Sequence, residues 1–354
     1  MGEGAARTMR YNTLGIQITN TCNMTCAHCI TDSSPSARGD LSWKQIEEAV
    51  RSAAPHIEGV CVTGGEPMLR PELTLKTITL TRDLGLISSM VTNAFWSRTQ
   101  GETLRVFRQL ADAGLSKMGV SFDRFHDRIV NAATLDRLLT VGAETNIRIQ
   151  IQYCGDRTDA AYRTITDVAG RHGVEILSSD VVPFGRGQQI AIRRNPNIDR
   201  VPDAACGVAV RPVLTPEGDL YTCCGPARGA PADSPLRLRT SAPSDVGDAL
   251  RSGASNPLLN LIHTQGPRAL YDRLSPESQQ RVAGRLLDES FCALCRAITD
   301  DRGAVAELES VLADQRFVLM AAAGFMQIRA EQDAATRPCA TGSSAARTGH
   351  SQAV

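Results

Sequence analysis

Cysteine is the residue type on which any chemistry in this chain must turn. There are eleven in 354 residues. The count is odd, and the N-terminal stretch 1–10 has no apolar core of a secretory signal, so a disulfide framework is not expected and a reducing, cytoplasmic compartment is. The first cluster is Cys22-Asn-Met-Thr-Cys26-Ala-His-Cys29, a C-x3-C-x2-C spacing on one short segment. Three thiolates so placed can hold three irons of a [4Fe–4S] cube and leave the fourth iron open to a small molecule. Zinc is the alternative, but it usually takes four nitrogen or sulfur ligands, and His28 beside Cys29 would strain a shared tetrahedron. The remaining composition narrows the class. Thirty-eight basic residues balance thirty-eight acidic ones, which argues against a nucleic-acid partner. The longest apolar run, Val318 to Met326, is too short to span a bilayer, so no membrane partner is expected.

A second motif, Gly64-Gly65-Glu66-Pro67, follows one strand–helix unit later. Alone it would be a tight βα turn whose glycines let backbone approach a ligand. Together with the cysteine triad it resembles the radical S-adenosylmethionine (SAM) superfamily. The resemblance implies that Gly64, Gly65, Glu66 and Pro67 hold the SAM methionine amine, with Glu66 facing the ligand, and that His28 packs near the adenine. It further implies polar contacts from Asn93, Ser121 and Asp123 at strand ends, for which helix capping by Asn93 and Asp123 is the alternative. Arg186, after the sixth strand, could pair with a carboxylate.

A later group, Cys206, eleven residues, Gly218, four residues, Cys223, then Cys292-Ala-Leu-Cys295, resembles the twitch domain, a short relative of the SPASM domain. Four cysteines can ligate a second [4Fe–4S] cluster fully; a zinc ribbon on the same residues is the alternative. Cys224 directly follows Cys223, and adjacent cysteines rarely ligate one cluster together, so one thiol is left over. It is either a small buried hydrophobe or a hydrogen-atom donor. The segments 92–96, 121–126 and 218–224 together look like the radical SAM peptide epimerases, which convert L-residues to D-residues in ribosomally made peptides, and Ala94 stands where that family commonly has Gly. The resemblance implies that a 5′-deoxyadenosyl radical removes a Cα hydrogen and Cys224 returns one from the opposite face. The partners it implies are a precursor peptide and an electron donor such as a flavodoxin or ferredoxin. A dehydrogenase or a peptide cross-linking enzyme, with the auxiliary cluster as electron acceptor, is the alternative. Of the other cysteines, Cys61 reads as core, Cys154 as a second candidate donor and Cys339 as incidental; His126 reads as a substrate contact or a surface residue.

These residues must be positioned by elements, and the elements alternate. Strands are expected at Leu14–Thr19, Gly59–Val62, Leu86–Val91, Lys117–Phe122, Ile147–Tyr153 and Val174–Val182. Helices are expected at Ser42–Ala53, Glu72–Leu84, Glu102–Ala113, Arg124–Val141 and Thr158–Arg171. Ser42 with Gln45 reads as a capping box, and Gly114 and Gly173 as helix ends. The fold class is α/β: a partial (β/α)6 TIM-like barrel with a small C-terminal twitch-type iron–sulfur domain and a helical extension. The expected divisions are an N-terminal tail 1–12, the barrel 13–187, the auxiliary domain 188–300, a C-terminal helix 301–330 and an aperiodic tail 331–354. Only about a dozen residues precede the first strand, so recognition of a leader peptide is expected to fall elsewhere in the chain or to a partner.

Overall fold

In the computed structural model, the described residues are 11–126, 131–193, 195–316, 318–324 and 326. The tail from 331, with Cys339, lies outside them, as does most of the 1–12 segment.

Six parallel strands run β1 (Tyr11–Gln17), β2 (Ile57–Thr63), β3 (Ile87–Thr92), β4 (Lys117–Ser121), β5 (Arg148–Cys154) and β6 (Glu175–Ser179), each hydrogen-bonded to the next. Helices α1 (Trp43–Ala53), α2 (Pro71–Asp83), α3 (Gln100–Ala113), α4 (Ala132–Gly142) and α5 (Ala160–His172) make the crossovers. The signals for them operate as expected. Ser42 Oγ accepts from Gln45 N while Gln45 Oε1 accepts from Ser42 N, and Gly114 and Gly173 end α3 and α5 with φ of 99° and 64°. One crossover differs. The expected helix from Arg124 begins only at Ala132, capped by Asn131, because 124–126 form a turn that folds back on Asp123.

Beyond α6 (Gln188–Ala191), three two-residue strands, β7 (Val213–Leu214), β8 (Leu220–Tyr221) and β9 (Arg237–Leu238), extend the same sheet. β7 pairs in parallel with β1, and β8 and β9 follow antiparallel, giving the order β6-β5-β4-β3-β2-β1-β7-β8-β9. The sheet therefore crosses the division expected near residue 187. Helices α7 (Val246–Ala254), α8 (Pro257–Thr264), α9 (Pro267–Tyr271), α10 (Pro276–Ala283), α11 (Phe291–Thr299) and α12 (Arg302–Leu312) complete the chain. Among the described residues no helix is long and apolar enough to cross a membrane.

Side chains alternate across the sheet. Leu14, Ile16, Val60, Val62, Met90, Met118, Val120 and Ile151 are buried beneath the helices. The opposite face carries Gln17, Cys61, Thr63, Ser89, Ser121 and Gln152, which are small or polar. The apolar core thus lies between strands and helices, and the inner face is left to the site.

Candidate functional site

The chain leaving β1 folds back on itself before it reaches α1. Cys22 N donates to Ser34 O at 3.1 Å, Asn20 N to Gly39 O at 2.9 Å and Cys29 N to Cys26 O at 3.1 Å, so the three cysteines sit on one pinned loop. The Gly64-Gly65 pair is what that loop rests on. A Cβ on Gly65 would lie 2.3 Å from Thr21 O, and one on Gly64 2.9 Å from Thr19 O. The glycines thus let the chain's own backbone approach closely, an approach continued by Gly65 N to Thr19 O at 2.7 Å and Glu66 N to Thr21 O at 3.0 Å.

Glu66 is likewise turned inward. Its carboxylate is fully buried and accepts from Thr92 Oγ1 (2.8 Å), Met68 N (3.0 Å) and Asn93 N (2.8 Å). Burial lifts its pKa to about 7, with those three donors pulling the other way. In this arrangement Glu66 braces the ends of β2 and β3; Pro67, buried beside it, opens a short helical turn. Asn93 is no helix cap, since α3 is capped by Thr99. Its Nδ2 donates to Asn23 Oδ1 at 2.9 Å and points at Cys22 Sγ, 3.8 Å away. Ala94 carries a φ of 55°, the left-handed region that explains why glycine suits that position.

On the other side of the loop, Asp123 is buried and accepts from Phe125 N (2.8 Å) and from His126 Nδ1 (2.9 Å). His28 Nε2 lies 3.6 Å from its second oxygen, with the His28 ring stacked on Phe125 at 4.4 Å. Burial opposes protonation of His126, but its bonds to Asp123 and Cys26 outweigh burial and raise its pKa to about 10. Burial lowers that of His28 to about 4. Neither histidine is a surface or capping residue, and Asp123 caps no helix among the described residues. Ser121, at the end of β4, shares the inner face.

Arg186 pairs with no carboxylate among the described residues. It donates through Nε to Cys26 O at 2.9 Å and through Nη2 to Ser33 O at 2.8 Å, while its own N–H reaches Cys29 O at 3.0 Å. This clasp of the cysteine loop was not legible in sequence, since its acceptors are backbone carbonyls some 150 residues away.

The second group assembles from three places: Cys206 ahead of β7, Cys223 just after β8, and Cys292 and Cys295 one turn apart on α11. Each of Cys223, Cys292 and Cys295 has its thiol pKa raised by burial first and then by the other cysteines, Cys223 to about 12. Cys22 is pushed up to about 11 by burial and, further, by Glu66, Cys26 and Cys29. Buried sulfurs that repel one another as thiolates are stabilised by a cationic metal core, so both groups fit a metal centre.

Cys224 is open to solvent, yet burial raises its thiol pKa. Cys61, expected in the core, lies on the inner face of β2; it feels the charge of Cys224, and burial lifts its pKa to about 11. Cys154 shares that face on β5. Arg296, adjacent to Cys295, donates to Pro226 O (2.6 Å) and Gly229 O (3.3 Å), fixing the loop after the doublet, and lies 5.2 Å over the Phe184 ring. A cleft of about 680 Å³ opens at the seam between the segment that follows β6 and the β7–β8 turn, walled by Ile30, Phe184, Glu217, Tyr221, Arg228 and Ala293.

Residues 16–174 match the profile of the radical SAM superfamily. The chain is 21% identical over 266 residues to the putative peptide biosynthesis protein YydG of Bacillus subtilis, covering 72% of this chain and 82% of that one. It is 32% identical over 112 residues to a probable GTP 3',8-cyclase of Methanothermobacter thermautotrophicus, where it spans only 34% of the relative. Among solved structures, Streptococcus suis SuiB bound to S-adenosylmethionine aligns with a TM-score of 0.39 at 12% identity, covering 72% of this chain and 66% of that one. Methylornithine synthase aligns with a TM-score of 0.38 at 12% identity, covering 49% and 55%.

Proposed function

We propose, for a chain that carries a radical SAM domain over residues 16–174, that it is a peptidyl L-to-D epimerase in which Cys224 is the hydrogen donor. The observation that carries this reading is the thiol itself: Cys224 is accessible and next in sequence to a member of the auxiliary cysteine group. A peptide substrate is supported by the likeness to YydG, a protein described by a role in peptide biosynthesis.

When bound, SAM and the cluster on Cys22, Cys26 and Cys29 supply a 5′-deoxyadenosyl radical able to take a Cα hydrogen. The chain's own residues do the rest. Arg186, Asn93 and the Gly64–Gly65 ledge fix the cysteine loop, and the Asp123–His126 pair closes its flank. The inner face of β1–β6 holds the peptide away from bulk water, and the seam cleft is its entrance. Cys224 keeps its proton at neutral pH because burial disfavours the thiolate, which is the state a hydrogen-atom donor requires. Cys206, Cys223, Cys292 and Cys295 hold the auxiliary cluster, and a flavodoxin or ferredoxin supplies electrons. Ten free cysteines among the described residues fit a cytoplasmic location.

The Cys224→Ala variant tests the donor. With reductant, SAM and precursor peptide it should form 5′-deoxyadenosine but no D-residue; unchanged epimerisation would overturn the assignment. Loss of two hydrogens from the peptide, or an intramolecular cross-link, would favour the dehydrogenase or cross-linking reading.

A further inference from the structure

We propose that Arg228 is the positioning residue for the hydrogen return: it ties the loop that follows Cys224 to the end of β1 and so sets where the thiol stands relative to the first cysteine loop. The proposal rests on the reading that Cys224 is the donor. Arg228 lies four residues after Cys224, with its side chain largely buried. Its Nη1 donates to Gln17 Oε1, and its Nη2 donates to Asn20 Oδ1 at 3.2 Å. Gln17 is the last residue of β1 and Asn20 stands two residues before Cys22; both are buried. Gln17 Nε2 donates to the same Asn20 oxygen at 2.6 Å. Asn20 Nδ2 donates in turn to Arg38 O at 3.0 Å and to Glu217 Oε1 at 2.6 Å. Glu217, in the turn between β7 and β8, closes the ring with its second oxygen 3.7 Å from Arg228 Nη2.

Both side-chain amides, Gln17 and Asn20, are therefore used at nitrogen and at oxygen. A buried polar network whose members are paired holds one arrangement. Three stretches of chain meet in this one: the end of β1 with the start of the first cysteine loop, the β7–β8 turn, and the loop after the cysteine doublet. Arginine suits the junction because its planar fork reaches two carbonyl oxygens at once while its charge faces a carboxylate. The loop itself is tight, with Arg228 N donating to Gly225 O at 3.4 Å and Ala230 N to Ala227 O at 2.9 Å. On its other side Arg296 donates to the carbonyls of Pro226 (2.6 Å), Arg228 (3.3 Å) and Gly229 (3.3 Å). The two arginines divide the work. Arg296 holds the loop to the helix of the auxiliary cysteines, and Arg228 holds it to the strand that leads into Cys22. The second tie governs the separation of the thiol from the place where the Cα hydrogen is removed.

The test compares two products of one turnover. Each 5′-deoxyadenosine records a radical that has gained a hydrogen. Each D-residue records a hydrogen returned by Cys224: its S–H bond breaks as the Cα–H bond forms, and the thiyl radical is restored by one electron from the assay reductant and one proton from solvent. A displacement of about 1 Å can cost a step about a hundredfold, so even a partial loosening is readable. In Arg228→Gln with iron content retained, the ratio of 5′-deoxyadenosine to D-residue should rise about tenfold. An arginine with a merely structural role would lower both products together, and an unchanged ratio overturns the proposal. Should that variant lose iron, Glu217→Gln is read in its place. It keeps an oxygen for Asn20 and removes the charge facing Arg228, so the ratio should rise by a smaller factor; the wild-type ratio overturns the proposal here too. Cys224→Ala, run alongside, separates the two possible failures. If it still epimerises, the donor reading falls and the positioning role falls with it. If it makes no D-residue while Arg228→Gln keeps the wild-type ratio, the positioning role alone is lost.

Discussion

At the scale of single residues, the proposed cysteine ligands stand out in the sequence and their supports do not. Spacing along the chain identified Cys22, Cys26 and Cys29 because a short loop must bring them together whatever the rest of the fold does. Arg186 carried no such signal: its acceptors are the carbonyls of Cys26 and Ser33, which any sequence would offer. Arg186→Ala should therefore loosen the first cluster without touching a ligand. Losing two charge-assisted hydrogen bonds to buried carbonyls costs on the order of 1–3 kcal/mol. The expected outcome is lower iron occupancy and weaker SAM cleavage, measured by iron quantification and 5′-deoxyadenosine yield, with the four auxiliary cysteines still loaded. Cys61 shows the same limit from the other side. Hydrophobic content placed it in the core, whereas strand register places it on the inner face, and register is not readable until the sheet is built.

At the scale of elements, the alternation of apolar runs with 3.6-residue periodicity located all six barrel strands and four of their five helices to within a few residues. The failures have physical causes. The helix expected from Arg124 starts at Ala132 because Asp123 accepts from Phe125 N and His126 and holds a turn that a helix would break. β7, β8 and β9 are two residues each, too short for any periodicity, and they exist because β1 offers an edge to pair with. The glycine motif stands out in the sequence, but its contact with the loop at Thr19 and Thr21 does not, since that needs the folded chain. Gly65→Ala puts a methyl 2.3 Å from Thr21 O, where backbone cannot yield cheaply. It should displace the cysteine loop and abolish loading of the first cluster, seen as loss of about half the bound iron with the fold retained by circular dichroism; full iron content in that variant would contradict the ledge role.

At the scale of the whole molecule, the two cysteine groups are mechanically linked. Arg296 on α11 fixes the loop after Cys224 and stacks over Phe184, two residues before the arginine that clasps the first loop. The expected division at residue 187 falls inside this link, and the nine-stranded sheet runs across it. The account requires two cubes, so anaerobic protein should carry about eight irons and no stoichiometric zinc. A Cys292→Ser/Cys295→Ser variant should keep about four irons and still cleave SAM, while losing the peptide product.

The central claim is that Cys224 returns a solvent-exchangeable hydrogen to a peptide Cα carbon. The most direct measurement is the mass and stereochemistry of the peptide after turnover in D2O by the reduced, cluster-loaded enzyme. The account predicts a gain of one deuterium at a single Cα that has become D. A product lighter by two hydrogens, with no deuterium gained and every residue still L, would contradict it.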